Sequence, residues 1–121
     1  MKVLVIDDEI MISKALSRAL ERREHFSKYC LTGEEGLALL KSEAWDAVFL
    51  DIMLPDMSGI KILEELKQTN SIPEEKVIII SAFSDSQLRG KIKEIGNFKF
   101  IRKPFKDIFT PINKIEETPN L

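Results

Sequence analysis

Cysteine is nearly absent: Cys30 stands alone, so no disulfide can close within the chain, and a reducing compartment is expected. Long apolar runs are missing too. The first segment is apolar for only four residues, Val3 to Ile6, before Asp7, Asp8 and Glu9 follow. That is too short for a signal-peptide core or a membrane span, so a cytoplasmic protein with no membrane contact is expected. There is no excess of either charge. Eighteen basic against twenty acidic residues give a net charge of −2, which argues against nucleic-acid binding through this domain. No internal repeat or low-complexity stretch interrupts the 121 residues, a length that suits one domain. The expected unit is 1–117, with 118–121 a tail or the start of a linker.

What the sequence does contain is alternation. Short apolar runs, Val3–Ile6, Ala47–Leu50 and Val77–Ile80, with weaker ones near Phe26–Cys30 and Phe98–Ile101, read as strands. The first three lack a polar face, as strands of a parallel sheet covered on both sides do. Between them the period becomes helical. Ile12, Ala15, Leu16, Ala19 and Leu20 form one stripe. Leu37, Leu39 and Leu40 follow Gly33; Ile62, Leu63 and Leu66 follow Ser58-Gly59. Leu88, Ile92 and Ile95 precede Gly96, expected as the left-handed residue that ends the fourth helix. Ile108, Ile112 and Ile115 mark the fifth. Five β-then-α units predict an α/β fold, a single doubly wound parallel sheet. Pro111 interrupts the last stripe. Asp107 as N-cap places it at the fourth helical position, and Thr110 as N-cap places it at the first; the stripe favours Asp107.

In such a sheet, ligands bind beyond the carboxyl ends of the strands. Asp7, Asp8 and Glu9 follow the first strand, Asp51 the third, Ser81 the fourth and Lys103 the fifth. Each has a plainer role alone. One of Asp7 and Asp8 is expected to cap the first helix, Ser81 suits a turn, and Lys103 suits a solvated charge. Together they place Asp7, Asp8 and Asp51 near one another with one ammonium. Like charges about 4 Å apart repel by roughly 4 kcal/mol at an effective dielectric of 20, so a divalent cation is expected, and oxygen ligands suit Mg²⁺.

With these residues in hand, the chain resembles a bacterial two-component response regulator receiver domain over nearly its whole length. The resemblance lies in Asp7-Asp8, in Asp51-Ile52-Met53-Leu54-Pro55-Asp56-Met57-Ser58-Gly59, in Ser81-Ala82 and in Lys103-Pro104-Phe105, whose Lys-Pro bond is commonly cis in the family. It implies a flavodoxin-like (βα)5 domain of strand order 2-1-3-4-5. It also implies a phosphoacceptor switch of a phosphorelay rather than an enzyme acting on other molecules. Asp51 would take a phosphoryl group from a sensor histidine kinase or a histidine phosphotransfer protein. Asp7, Asp8, Asp51 and the backbone carbonyl of Met53 would hold Mg²⁺, and Lys103 would stabilise phosphoryl oxygens. Ser81 and Phe100 would form the switch, acting on the surface of the fourth helix, fifth strand and fifth helix.

Met53 and Phe83 occupy positions that tune hydrolysis in the family, and both are bulky and apolar, so slow self-dephosphorylation is expected. Ile10 and Met11 fall off the first helical stripe and could serve either as a partner-docking patch or as scattered surface hydrophobes. Departures from the family pattern are Gly36, expected to weaken the second helix by about 1 kcal/mol, Asn97, and a long connection over 70–76. Three other readings remain at this point. A small Mg²⁺-dependent phosphatase would need a second Asp where Glu9 stands; a pseudo-receiver would lack one of the key residues; a nucleotide-binding domain would need a glycine-rich loop after the first strand.

Overall fold

A computed structural model describes residues 1–82 and 86–117. The strands are β1 (Lys2–Ile6), β2 (Phe26–Cys30), β3 (Ala47–Leu50), β4 (Val77–Ser81) and β5 (Lys99–Arg102). The helices are α1 (Ile10–Arg22), α2 (Gly33–Ser42), α3 (Gly59–Thr69), α4 (Ser86–Ile95) and α5 (Phe109–Glu116). All strand pairs are parallel, in the order β2-β1-β3-β4-β5. The expected topology is therefore the one observed.

Successive side chains of a strand face opposite ways, and the three central strands feed two separate cores. Leu4, Ile6, Val48, Leu50, Val77 and Ile79 meet α2, α3 and α4 through residues such as Leu63, Leu66 and Ile92. Val3, Val5, Ala47, Phe49, Ile78 and Ile80 meet α1 and α5 through Leu16, Leu20, Ile112 and Ile115. Burial on both faces is why these strands carry no polar alternation.

Local chemistry sets the helix ends. Ser58 caps α3, its hydroxyl accepting from the N–H of Ile60 at 3.2 Å, and Asn70 closes that helix in the left-handed region at φ 51°. At α5 the expected N-cap is corrected by one residue: Ile108 is the N-cap and makes no side-chain cap bond, while the Asp107 carboxylate just before it accepts from the N–H of Phe109 at 2.8 Å. Pro111 then sits where no intrahelical donor is needed, and it is buried.

Three further expectations are corrected. Ala15 is exposed; the buried face of α1 instead includes Ser13 and Ser17, whose hydroxyls bond the Asp7 carbonyl at 2.8 Å and the Ser27 hydroxyl at 2.5 Å. Gly96 does not adopt a positive φ. A Cβ there would lie 2.5 Å from Glu74 Oε1 and 3.0 Å from the Phe98 ring, so a side chain at this position would have to displace the Glu74 carboxylate and crowd that ring. Gly36 is no weakness in α2, because a Cβ would come within 2.7 Å of the buried Ile6 side chain. The long 70–76 connection contains a turn of 3₁₀ helix, Glu74–Lys76. From it Lys76 bonds the Ile115 carbonyl at the end of α5, and Glu74 pairs with Lys67.

Candidate functional site

The carboxyl ends of β1, β3, β4 and β5 bring the expected residues together. Asp7 is fully buried just after β1, Asp51 is buried just after β3, Ser81 is buried as the last residue of β4, and Lys103 is buried one residue past β5. Backbone bonds fix their positions: Asp7 N–H to the Cys30 carbonyl at 3.1 Å, Asp51 N–H to Ile6 at 2.9 Å, and Lys103 N–H to Ser81 at 3.0 Å. The Lys103–Pro104 bond is cis, as the resemblance implied.

The Lys103 ammonium sits among three carboxylates, 2.6 Å from Asp7 Oδ2, 2.8 Å from Glu9 Oε1 and 2.9 Å from Asp51 Oδ2. Burial alone would lower the lysine pKa, but the surrounding Asp7, Glu9 and Asp51 carboxylates outweigh it, and the ammonium is held more firmly than usual. Asp7 shows the opposite balance. Its burial raises the carboxyl pKa, only partly countered by Lys103 and by the Glu9 N–H, which bonds Asp7 Oδ1 at 2.9 Å. Asp51 Oδ1 accepts from the N–H of Met53 at 2.9 Å.

The donor set suits a hard divalent cation. Asp7, Asp8 and Asp51 each place a carboxylate oxygen within 4.8 Å of the others. Asp7 Oδ2 is buried and, despite its ion pair with Lys103, makes no aligned hydrogen bond. Three carboxylates around one ammonium leave surplus negative charge, and an under-bonded buried oxygen is the acceptor a cation would take. Asp8 is exposed and lines an open depression of about 460 Å³ together with Ile52, Met53, Asp56 and Leu88. Mg²⁺ fits these residues.

Two contacts here were not anticipated from the sequence. Neither Asp7 nor Asp8 caps α1: Glu9 is its N-cap residue and makes no side-chain cap bond, but its carboxylate reaches Lys103 instead. Asp56 leaves the loop after Asp51 to grip α2, its two oxygens accepting from the N–H groups of Gly33 at 2.8 Å and Glu34 at 2.9 Å. Those amide bonds hold its carboxyl below the usual range. Met57 packs beside them, where a Cβ on Gly33 would lie 2.3 Å from its Cγ. The sequence signal for both was present, an acid directly before a helix and an acid in a Pro-containing turn. Neither spacing says which distant group the acid will meet.

Of the other expected residues, Phe100 is half-buried on β5 with the Arg89 guanidinium 4.7 Å from its ring centre. Met53, Ile10 and Met11 are exposed. Phe83 lies outside the described residues. Among the described residues no helix is long and apolar enough to cross a membrane.

Comparison with known proteins agrees with this geometry. The model of the response regulator receiver domain family matches residues 3–109. A probable transcriptional regulator, ycf27, of Guillardia theta is 35% identical over 104 residues, covering 86% of this chain and 40% of the relative. The probable C4-dicarboxylate response regulator DctR of Bacillus subtilis is 34% identical over 108 residues, covering 87% of this chain and 46% of the relative. The chain thus spans less than half the length of these relatives. The BeF3-activated DrrB receiver domain, from Thermotoga maritima, superposes with a TM-score of 0.80 at 35% identity, covering 95% of this chain and 93% of that one. From the strand order, the acidic cluster around a buried lysine and these likenesses, the chain belongs to the response regulator receiver domain family, the phosphoacceptor switches of two-component systems.

Proposed function

We propose that Asp51 is the acceptor, taking a phosphoryl group from a phosphohistidine on a sensor histidine kinase or a histidine phosphotransfer protein. The bond from phosphorus to the histidine nitrogen breaks, the bond to an Asp51 carboxylate oxygen forms, and the imidazole leaves with the electron pair. Lys103, already 2.9 Å from Asp51 Oδ2, holds positive charge where phosphoryl oxygens arrive. The observation that carries this reading is that same buried lysine-aspartate contact, set within a three-carboxylate cluster. Asp7, Asp8, Asp51 and the carbonyl of Met53 would hold Mg²⁺, which when bound neutralises surplus charge and favours transfer to an anionic acceptor. Burial of Asp7 and Asp51 keeps competing water from most of the site.

Ser81 then bonds the attached phosphoryl group, and Phe100 carries the change to the face of α4, β5 and α5. That face meets an output domain or target, and exposed Ile10 and Met11 form part of the face that meets the phosphate donor. Bulky Met53 and Phe83 orient no water, so the phosphorylated state decays slowly. We place the protein in the cytoplasm, with 1–117 as the switching unit and 118–121 as a tail or linker start. It catalyses only its own phosphorylation and dephosphorylation.

The test is mass spectrometry after incubation with acetyl phosphate and Mg²⁺. The wild type should gain one phosphoryl group and Asp51→Asn none, with no turnover of generic phosphomonoesters. Equal labelling of the two proteins would refute the assignment.

A further inference from the structure

In the resting protein the Lys103 ammonium donates to Glu9 Oε1 at 2.8 Å and Asp51 Oδ2 at 2.9 Å and is in ion-pair contact with Asp7 Oδ2 at 2.6 Å, so three carboxylates crowd the place that a phosphoryl oxygen would take. One of the three must yield. Asp7 and Asp51 cannot do so readily, because their side chains are 0% and 5% exposed. Each also has its other oxygen tied to a backbone amide, Asp7 to that of Glu9 and Asp51 to that of Met53. Glu9 differs in both respects. Its side chain is 54% exposed, and among the described residues its carboxylate bonds Lys103 alone. Its backbone is anchored by the amide bond to Asp7 and by the Ser13 N–H on its carbonyl at 3.0 Å, so only the side chain is free to swing.

We propose that Glu9 is an intramolecular stand-in for the phosphoryl group, a positioning residue that occupies the Lys103 ammonium at rest and leaves when Asp51 is phosphorylated. The inference rests on the reading of Asp51 as acceptor. The exchange conserves bonding at Lys103: one charge-assisted bond to Glu9 is replaced by one to a phosphoryl oxygen, and the displaced carboxylate returns to water. No proton moves to or from Glu9. With acetyl phosphate as donor, the phosphorus–acetate bond breaks, the phosphorus–Asp51 bond forms, and acetate leaves with the electron pair. Because Glu9 stays within reach, it competes for Lys103 throughout. It therefore slows phosphorylation and weakens phosphoryl mimics without touching the acceptor.

Two variants separate this role from a general charge effect. Glu9→Gln keeps the reach but removes the charge, whereas Glu9→Asp keeps the charge but is one methylene too short. Both should be labelled by acetyl phosphate faster than wild type, by about two- to fivefold, the scale of one half-exposed ion pair. Both should also bind beryllofluoride more tightly by a similar factor in calorimetry at saturating Mg²⁺, and the affinity for Mg²⁺ alone, measured in parallel, should change less. Faster labelling of Glu9→Gln with wild-type behaviour of Glu9→Asp would overturn the stand-in role in favour of bulk charge, and unchanged or slower labelling of both would overturn it outright. If instead wild type and Asp51→Asn are labelled alike, the acceptor assignment itself fails, an outcome distinct from a labelled wild type with unaltered Glu9 variants.

Discussion

Lysine meets carboxylate at both ends of the sheet, with nearly the same distances and opposite arithmetic. At the amino end, Glu43 receives two ammonium groups, Lys2 at 2.8 Å and Lys28 at 2.8 Å, and Lys2 also lies over the Trp45 ring. All three ionic side chains keep a quarter or more of their exposure. At the carboxyl end, one buried lysine serves three carboxylates at 2.6, 2.8 and 2.9 Å. Water screens the first group and leaves it a surface ion pair of small consequence. Exclusion of water turns the second into a reservoir of uncompensated charge, one that binds cations and can be altered by a new anion. Contact distance alone does not distinguish a site from decoration; burial and charge count do.

That contrast can be broken most sharply at its centre. Lys103→Ala leaves two buried carboxylates without their cation and should cost about 3–5 kcal/mol in urea unfolding, with Mg²⁺ recovering part of the loss. Next in size is overpacking at Gly36. Gly36→Ala should destabilise by about 1–3 kcal/mol against Ile6, whereas Gly90→Ala in α4, with nothing near its Cβ, should stabilise by about 1 kcal/mol. Asp7→Asn should raise stability by about 1 kcal/mol in chelator, because it removes a charge that burial opposes, and should abolish the extra stability that Mg²⁺ gives wild type. The smallest effect belongs to the amino end. Glu43 has its carboxyl lowered by Lys2 and then Lys28, so its contribution is present above the unfolded carboxyl value near 4.3 and is lost as pH falls through the folded value. Glu43→Gln should barely shift the thermal midpoint at pH 7, and any difference from wild type should vanish on acidification. A large effect at Glu43, or none at Lys103, would overturn the comparison.

How much could be read in advance follows the same division. The central strands were legible because burial on both faces writes unbroken apolar runs, and the acids at their ends were legible because a parallel sheet fixes where strand ends gather. Ala15 misled because a small apolar residue fits a stripe equally well on a solvent face, while Ser13 and Ser17 are hidden polar residues that find partners only in the folded chain. Gly36 and Gly96 were misjudged for a related reason. Helix propensity and end signals are local, whereas the side chains that a Cβ would meet come from β1 for Gly36, and from the 3₁₀ turn and the approach to β5 for Gly96. Glu9 was seen only as a third acid, because chain order does not reveal that its side chain reaches Lys103.

Asp56 has a consequence beyond the charge it carries. A carboxylate that grasps two amides of a neighbouring helix joins the loop after Asp51 and the first turn of α2 into one mechanical part. Displacing either strains the same pair of bonds, so α2, on the far flank of the sheet from β5, shares the load of any rearrangement at the acidic cluster.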